Sequence, residues 1–166
     1  RGGTRLAFGE SLNPIFQLDQ AEVILALDSD FLGCGPGGLR YARDFASKRK
    51  LPADRMNRLY SVESTASNTG AVADHRLPLR PAEIETFARA LAHALGVLPG
   101  DPPRWHDDPQ SSKAKRRARW IEVLARELAP HIEKALARKR RMPALSDAEI
   151  PVVKASRERE AFYYKE

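Results

Sequence analysis

The sequence predicts an α/β fold, a Rossmann-like parallel sheet with flanking helices, carrying a C-terminal basic helical extension. Three observations point there. Two short apolar runs, Ala21-Glu22-Val23-Ile24-Leu25-Ala26-Leu27-Asp28 and Arg58-Leu59-Tyr60-Ser61-Val62-Glu63, read as strands buried on both faces, and each ends in an acid. Between them a glycine-rich loop leads into an amphipathic stretch, so strand, helix and strand follow in the order of a right-handed βαβ crossover. The 166 residues suffice for one domain with a sizeable core, not for two of ordinary size.

The elements follow in order. After the first strand, Gly33-Cys34-Gly35-Pro36-Gly37-Gly38 opens a helix that places Leu39, Ala42 and Ala46 on one apolar face with Tyr41 and Phe45 beside it, closing near Leu51-Pro52. The second strand gives way to the polar loop Ser64 to Gly70. Leu77-Pro78-Leu79 reads as an edge strand, because proline has no N–H for an interior ladder. Pro81 starts a helix with Glu83 and Glu85 in its first turn, a stripe of Ile84, Phe87, Ala88, Leu91 and Leu95, and Gly96 at its end. The composition then turns to Pro, Gly and Asp. The expected organisation is an α/β domain over 1–98, a linker over 99–112, a basic helical segment over 113–141 and an unassigned charged tail over 142–166. Ser111 or Ser112 caps the basic helix, Ile121, Leu124, Ala125 and Leu128 keep helical spacing, and a kink or restart is expected at Pro130.

Composition narrows the function. Hydrophobic residues make up 42% and charged residues 30%, and no apolar run approaches the ~20 residues of a membrane span. The opening Arg1-Gly2-Gly3-Thr4 shows no charged-then-apolar leader and reads as a cut end, so we expect a fragment. One cysteine, Cys34, makes neither an intrachain disulfide nor an iron–sulfur cluster. The net charge of +6 is local: residues 113–141 hold eleven Lys/Arg against three Glu, and the remainder is slightly acidic. Lys113, Lys115, Arg116, Arg117 and Arg119 beside Trp120 would bind nucleic acid if they formed one positive face; the commoner origin of such a run is a solvated helix face, which weighs against that partner.

The sharpest motif is Gly33, Gly35 and Gly38, spaced G-x-G-x-x-G between a strand and a helix, with Glu63 at the end of the next strand. In a dinucleotide fold such glycines let backbone N–H groups reach a pyrophosphate, and the acid takes ribose hydroxyls. Here Pro36 removes one donor, and Asp28 and Asp30 bring negative charge to the phosphate position. The other reading is a loop whose glycines simply turn tightly. A functional pocket would be lined by Asp28, Gly33, Gly35, Glu63 and Thr65 at the carboxyl ends of the strands, with Gly38 opening the helix. Cys34 suits a space-filling role. Asp74, His75 and Arg76 lack a nucleophile at an interpretable spacing, and His93, His106 and His131 lack ligand-like neighbours. No catalytic set and no metal site is expected.

Several ordered blocks resemble one family. Leu6-Ala7-Phe8-Gly9-Glu10, Leu12-Asn13-Pro14, the run from Ala21 to Gly33, Gly35-Pro36-Gly37, Arg40-Tyr41-Ala42-Arg43-Asp44-Phe45, Met56-Asn57-Arg58-Leu59-Tyr60, Val62-Glu63-Ser64-Thr65, Thr69-Gly70-Ala71 and Ala73-Asp74-His75-Arg76-Leu77-Pro78 are similar to the molybdopterin oxidoreductase-like, iron–sulfur-type subunits of alternative complex III. The resemblance covers roughly residues 4–98 and, more loosely, 118–131. It implies a twin-arginine-exported subunit of a membrane-associated respiratory complex on the extracytoplasmic side, whose iron–sulfur half passes electrons from quinol toward cytochrome c. This chain would be the nucleotide-binding-like domain of the molybdopterin-like half, packed against other domains of the parent subunit and against partner subunits. Enzymes of the wider group carry Gly-Ser-Asn-like and Asp-Pro-Arg-like residues after the two strands, where they hold molybdopterin guanine dinucleotide. Asp28-Ser29-Asp30 and Glu63-Ser64-Thr65 stand there instead, and Arg80-Pro81-Ala82-Glu83 departs from Arg-Pro-Gly-Thr-Asp. Added acids and a lost arginine disfavour an anionic cofactor, so the expectation is a scaffold without cofactor, and the alternative a domain of an active oxidoreductase that holds the dinucleotide.

Overall fold

Side chains alternate across a strand, so each apolar run supplies two faces of a sheet. The computed structural model describes Arg5, Gly9 and residues 11–13, 15–49, 56–140 and 164–165. A short antiparallel pair joins Leu12–Asn13 (β1) to Tyr164–Lys165 (β5), whereas the main sheet comprises Val23–Leu27 (β2), Arg58–Glu63 (β3) and His75–Pro78 (β4), all parallel in the order β2-β3-β4. The α/β fold is thus the one the sequence predicts. β3 is central, and all of its residues after Arg58 are buried. Pro78 lies at the last pair of edge strand β4, opposite Glu63, and the carbonyl of Glu63 instead accepts from the N–H of Leu79 at 3.1 Å.

One face of the sheet buries Tyr60, Val62 and Leu77 with Val23, Leu25 and Leu27 against helices Pro81–Ala94 (α3) and Ser112–Arg140 (α4). The other buries Ala26 and Leu59 with Ile24 under Phe45 of helix Gly38–Ser47 (α1). Between β3 and β4 the polar loop winds into one turn, Asn68–Ala71 (α2), capped by Ser67, whose hydroxyl accepts the Gly70 N–H at 3.0 Å. Pro81 is the first residue of α3, as its fixed φ favours, and the Glu83 carboxylate accepts the Arg80 N–H at 3.1 Å.

Two expectations need correction. In α1 the buried residues are Tyr41, Asp44 and Phe45, whereas Leu39 is 93% exposed. The row that faces the sheet is fixed by Phe45 on Leu59 and by the Tyr41 hydroxyl, which accepts the Phe16 N–H at 3.3 Å; the predicted Leu39/Ala42/Ala46 row is left outside. The core also does not end at residue 98. Leu124 of α4 is fully buried in the same cluster as Phe87 and Leu91, with Trp120, Ile121 and Leu128 packed around it.

The segment between α3 and α4 is held rather than free. Arg117, 3% exposed, forks onto Asp107 at 2.8 and 2.7 Å and lies 3.6 Å over the Trp105 ring. Lys113 reaches back to Glu83 at 2.6 and 2.9 Å. The helix is continuous through Pro130, so the restart expected there as the alternative to a kink does not occur. α1 ends at Ser47, with Lys48 as its C-cap, short of the end expected near Leu51-Pro52; Leu51, Pro52 and residues 142–163 of the tail lie outside the described residues. Among the described residues no helix is long and apolar enough to cross a membrane.

Candidate functional site

At the carboxyl ends of β2 and β3, where a doubly wound fold places its ligand, the polar groups bind one another. Asp28 takes φ 49°, a left-handed conformation that Asp tolerates better than most residues, and its Oδ1 accepts the Ser64 N–H and the Ser64 hydroxyl, both at 2.9 Å. Asp30 accepts the Thr69 N–H at 2.9 Å and the Thr69 hydroxyl at 2.8 Å; these two bonds, in that order, hold its carboxyl below its ordinary pKa. Glu63 is 3% exposed, accepts the Ser67 hydroxyl at 2.6 Å and pairs with Nε of Arg76. Burial pushes the Glu63 pKa up, but the bonds from Arg76 and Ser67 outweigh it and the net direction is down.

The glycines make room for the protein itself. A Cβ on Gly33 would stand 2.3 Å from Asp30 Oδ2 and 2.5 Å from Asn68 Nδ2, and one on Gly70 would stand 1.9 Å from Glu63 Oε1. The close approach that a fingerprint glycine offers to a pyrophosphate is taken here by Asp30 and Asn68. Gly35 has φ 96° with nothing near its missing Cβ, Gly38 is the first residue of α1, and Thr65 is exposed. Asp28 and Glu63 are joined through the Ser64 and Ser67 loop, and Glu63 is buried beside Arg76 and Gly70, whereas Gly35 and Thr65 are exposed. The residues do not fit a dinucleotide: two satisfied carboxylates and a filled glycine niche occupy its position. Cys34 is exposed, and among the described residues no group of three His, Cys, Asp or Glu could hold a metal.

A second concentration of chemistry lies beside the edge strand. A cleft of about 560 Å³ opens between the start of β4 and α4. Its floor is aromatic: His75 stacks on Tyr60 with ring centroids 4.8 Å apart, and Trp120 meets Tyr60 edge-on at 5.7 Å. Arg76, Arg116 and Arg119 rim it. The one acid among its described lining residues, Asp74, is already taken by Arg49 and by the Leu59 N–H at 2.7 Å; burial raises its pKa, and these partners more than reverse the rise. Sequence reasoning found no catalytic set in Asp74, His75 and Arg76 and read the basic run from Lys113 to Arg119 as a solvated helix face. The signal available was the spacing of Arg116, Arg119, Trp120 and Val123, which puts all four on one side of a helix.

No protein-family model matches this chain, and no curated protein matches it.

Proposed function

We propose that this α/β domain is a cofactor-free scaffold, a domain of a molybdopterin oxidoreductase-like subunit in a respiratory electron-transfer complex that passes electrons from quinol to cytochrome c. The ordered blocks of resemblance between residues 4 and 98 support the family. The observation that carries the scaffold reading is the closed state of the carboxyl ends: Glu63 is buried against Arg76, Ser67 and Gly70, and Asp30 fills the space that Gly33 leaves. A carboxylate already neutralised by an internal guanidinium has little capacity left for ribose hydroxyls, and Asp30 would repel a pyrophosphate. On this reading the domain supplies surface on which neighbouring domains and subunits pack, and molybdopterin guanine dinucleotide has no place in it.

The test uses guanosine diphosphate, which carries the guanosine and pyrophosphate of the dinucleotide, titrated into the folded chain and followed by amide NMR. The expected result is no saturable shift at the N–H groups of Gly33, Gly35 and Gly38. Saturable shifts at those three amides overturn the scaffold reading and restore a nucleotide-binding domain.

A further inference from the structure

We propose that the cleft between β4 and α4 binds a phosphate monoester, with the dianionic phosphate held by Arg116 and Arg119 and the organic part lying against Trp120 and His75. The inference is independent of the scaffold reading, since the residues that line the cleft include none of the glycine loop and none of Asp28, Asp30 and Glu63.

The charge balance of the cleft leads to the ligand. Arg76 is neutralised by Glu63, and Asp74 by Arg49. What remains is Arg116 and Arg119, to which no acid pairs among the described residues; both side chains are exposed. Two unpaired guanidiniums call for about two negative charges. Three residues apart on α4, they sit one turn from each other, close enough to fork onto a single tetrahedral group, a geometry that suits arginine better than lysine. Beside them the aromatic floor is wider than a bare ion needs, and the 560 Å³ volume admits an organic body of nucleotide or sugar size.

A nucleic-acid backbone fits less well, because it needs a track of unpaired cations. On α4 that track is broken: Lys113 and Arg117 turn inward to Glu83 and Asp107, and Glu122, Glu127 and Glu133 interrupt the rest. Two cations in a cleft recognise one phosphate rather than a chain of them.

The experiment is calorimetric titration of the full chain with adenosine monophosphate, ribose 5-phosphate, inorganic phosphate, succinate and a single-stranded oligonucleotide, repeated on the doubly substituted R116Q/R119Q chain. Both arginines are exposed, so circular dichroism should find that chain folded. The expected result is one-site binding of a phosphate monoester, tighter than inorganic phosphate and weakened about tenfold or more in R116Q/R119Q, as loss of charge-assisted hydrogen bonds implies. Adenosine monophosphate or ribose 5-phosphate as the tighter ligand names the organic part. No saturable binding, equal binding of succinate, binding indifferent to R116Q/R119Q, or oligonucleotide affinity that grows with length each overturns the proposal. Guanosine diphosphate that binds here disappears with R116Q/R119Q and leaves the three glycine amides unmoved, so the two readings fail separately.

Discussion

The carboxyl ends of β2 and β3 and the cleft between β4 and α4 both gather charged groups, and they differ in what those groups touch. At the strand ends Asp28, Asp30 and Glu63 are bonded to Ser64, Thr69, Ser67 and Arg76. In the cleft Arg116 and Arg119 are exposed, with no acid paired to them among the described residues. A charge that is satisfied by its own fold contributes to stability and offers little to a ligand, whereas an unsatisfied one is held near others of its sign at some cost and is open to a counter-charge. On the proposed reading the motif that looks functional in the sequence serves the fold, and the run that looks like a solvated helix face supplies the charges without an acid partner among the described residues.

The largest expected effect separates α4 from the appendage that its composition suggests. Leu124 has no exposed surface and shares a cluster with Phe87 and Leu91. Leu124→Ala should cost about 2–5 kcal/mol in urea unfolding, the range for a leucine deleted from a well-packed core. A loss under about 0.5 kcal/mol would mean that α4 is only laid on the domain, and the cleft built between it and β4 would lose its wall.

How far the sequence carried the fold depends on whether a residue's partner lay nearby. β3 was legible to the residue because Leu59, Tyr60 and Val62, broken only by the small Ser61, are bounded by the charged Arg58 and Glu63, and Pro81 marked the start of α3 by its fixed φ. The inner face of α1 was not legible: Leu39, Ala42 and Ala46 make as good a stripe as Tyr41 and Phe45, and only the hydroxyl contact to Phe16 and the fit on Leu59 choose between them. Arg117 was counted as surface charge because its partners, Trp105 and Asp107, lie in a Pro- and Gly-rich stretch that reads as a linker. The cleft escaped notice for a similar reason. Tyr60, His75 and Trp120 come from three elements, and nothing in local periodicity joins them.

A middle-sized effect tests the strand ends. Arg76→Ala leaves Glu63 buried with Ser67 as its remaining hydrogen-bond donor and should cost about 1–3 kcal/mol near neutral pH, toward the lower end because Arg76 is itself 37% exposed in its side chain and partly screened. The sign with pH follows from the direction of the shift. Glu63 has a folded pKa below its ordinary 4.5, so its contribution is full above that value and is lost as the pH falls through the folded pKa. Wild-type stability should therefore drop on acidification below about pH 4.5, more steeply than that of Arg76→Ala, and the two curves should converge at low pH. Parallel curves would mean that the pair contributes nothing, and the closed strand ends would no longer argue against a cofactor.

The smallest effect on stability belongs to the outer face of α1, and there the absence of change is the informative result. Leu39 is 93% exposed, and on the same helix Ala42 and Ala46 line, with Leu32, Phe45, Val72, Arg49 and Asn68, a mostly apolar groove of about 430 Å³. A domain that ends its work at its own surface has little reason to leave such a row bare, while one that carries neighbours does. Leu39→Ser should change unfolding free energy by less than about 0.5 kcal/mol and should reduce the binding of a hydrophobic dye to the native chain. If it instead destabilises the fold as a core substitution does, the Leu39 row is internal after all; α1 would then face the sheet by the stripe its sequence suggests, and the outward surface that the scaffold reading needs would be gone.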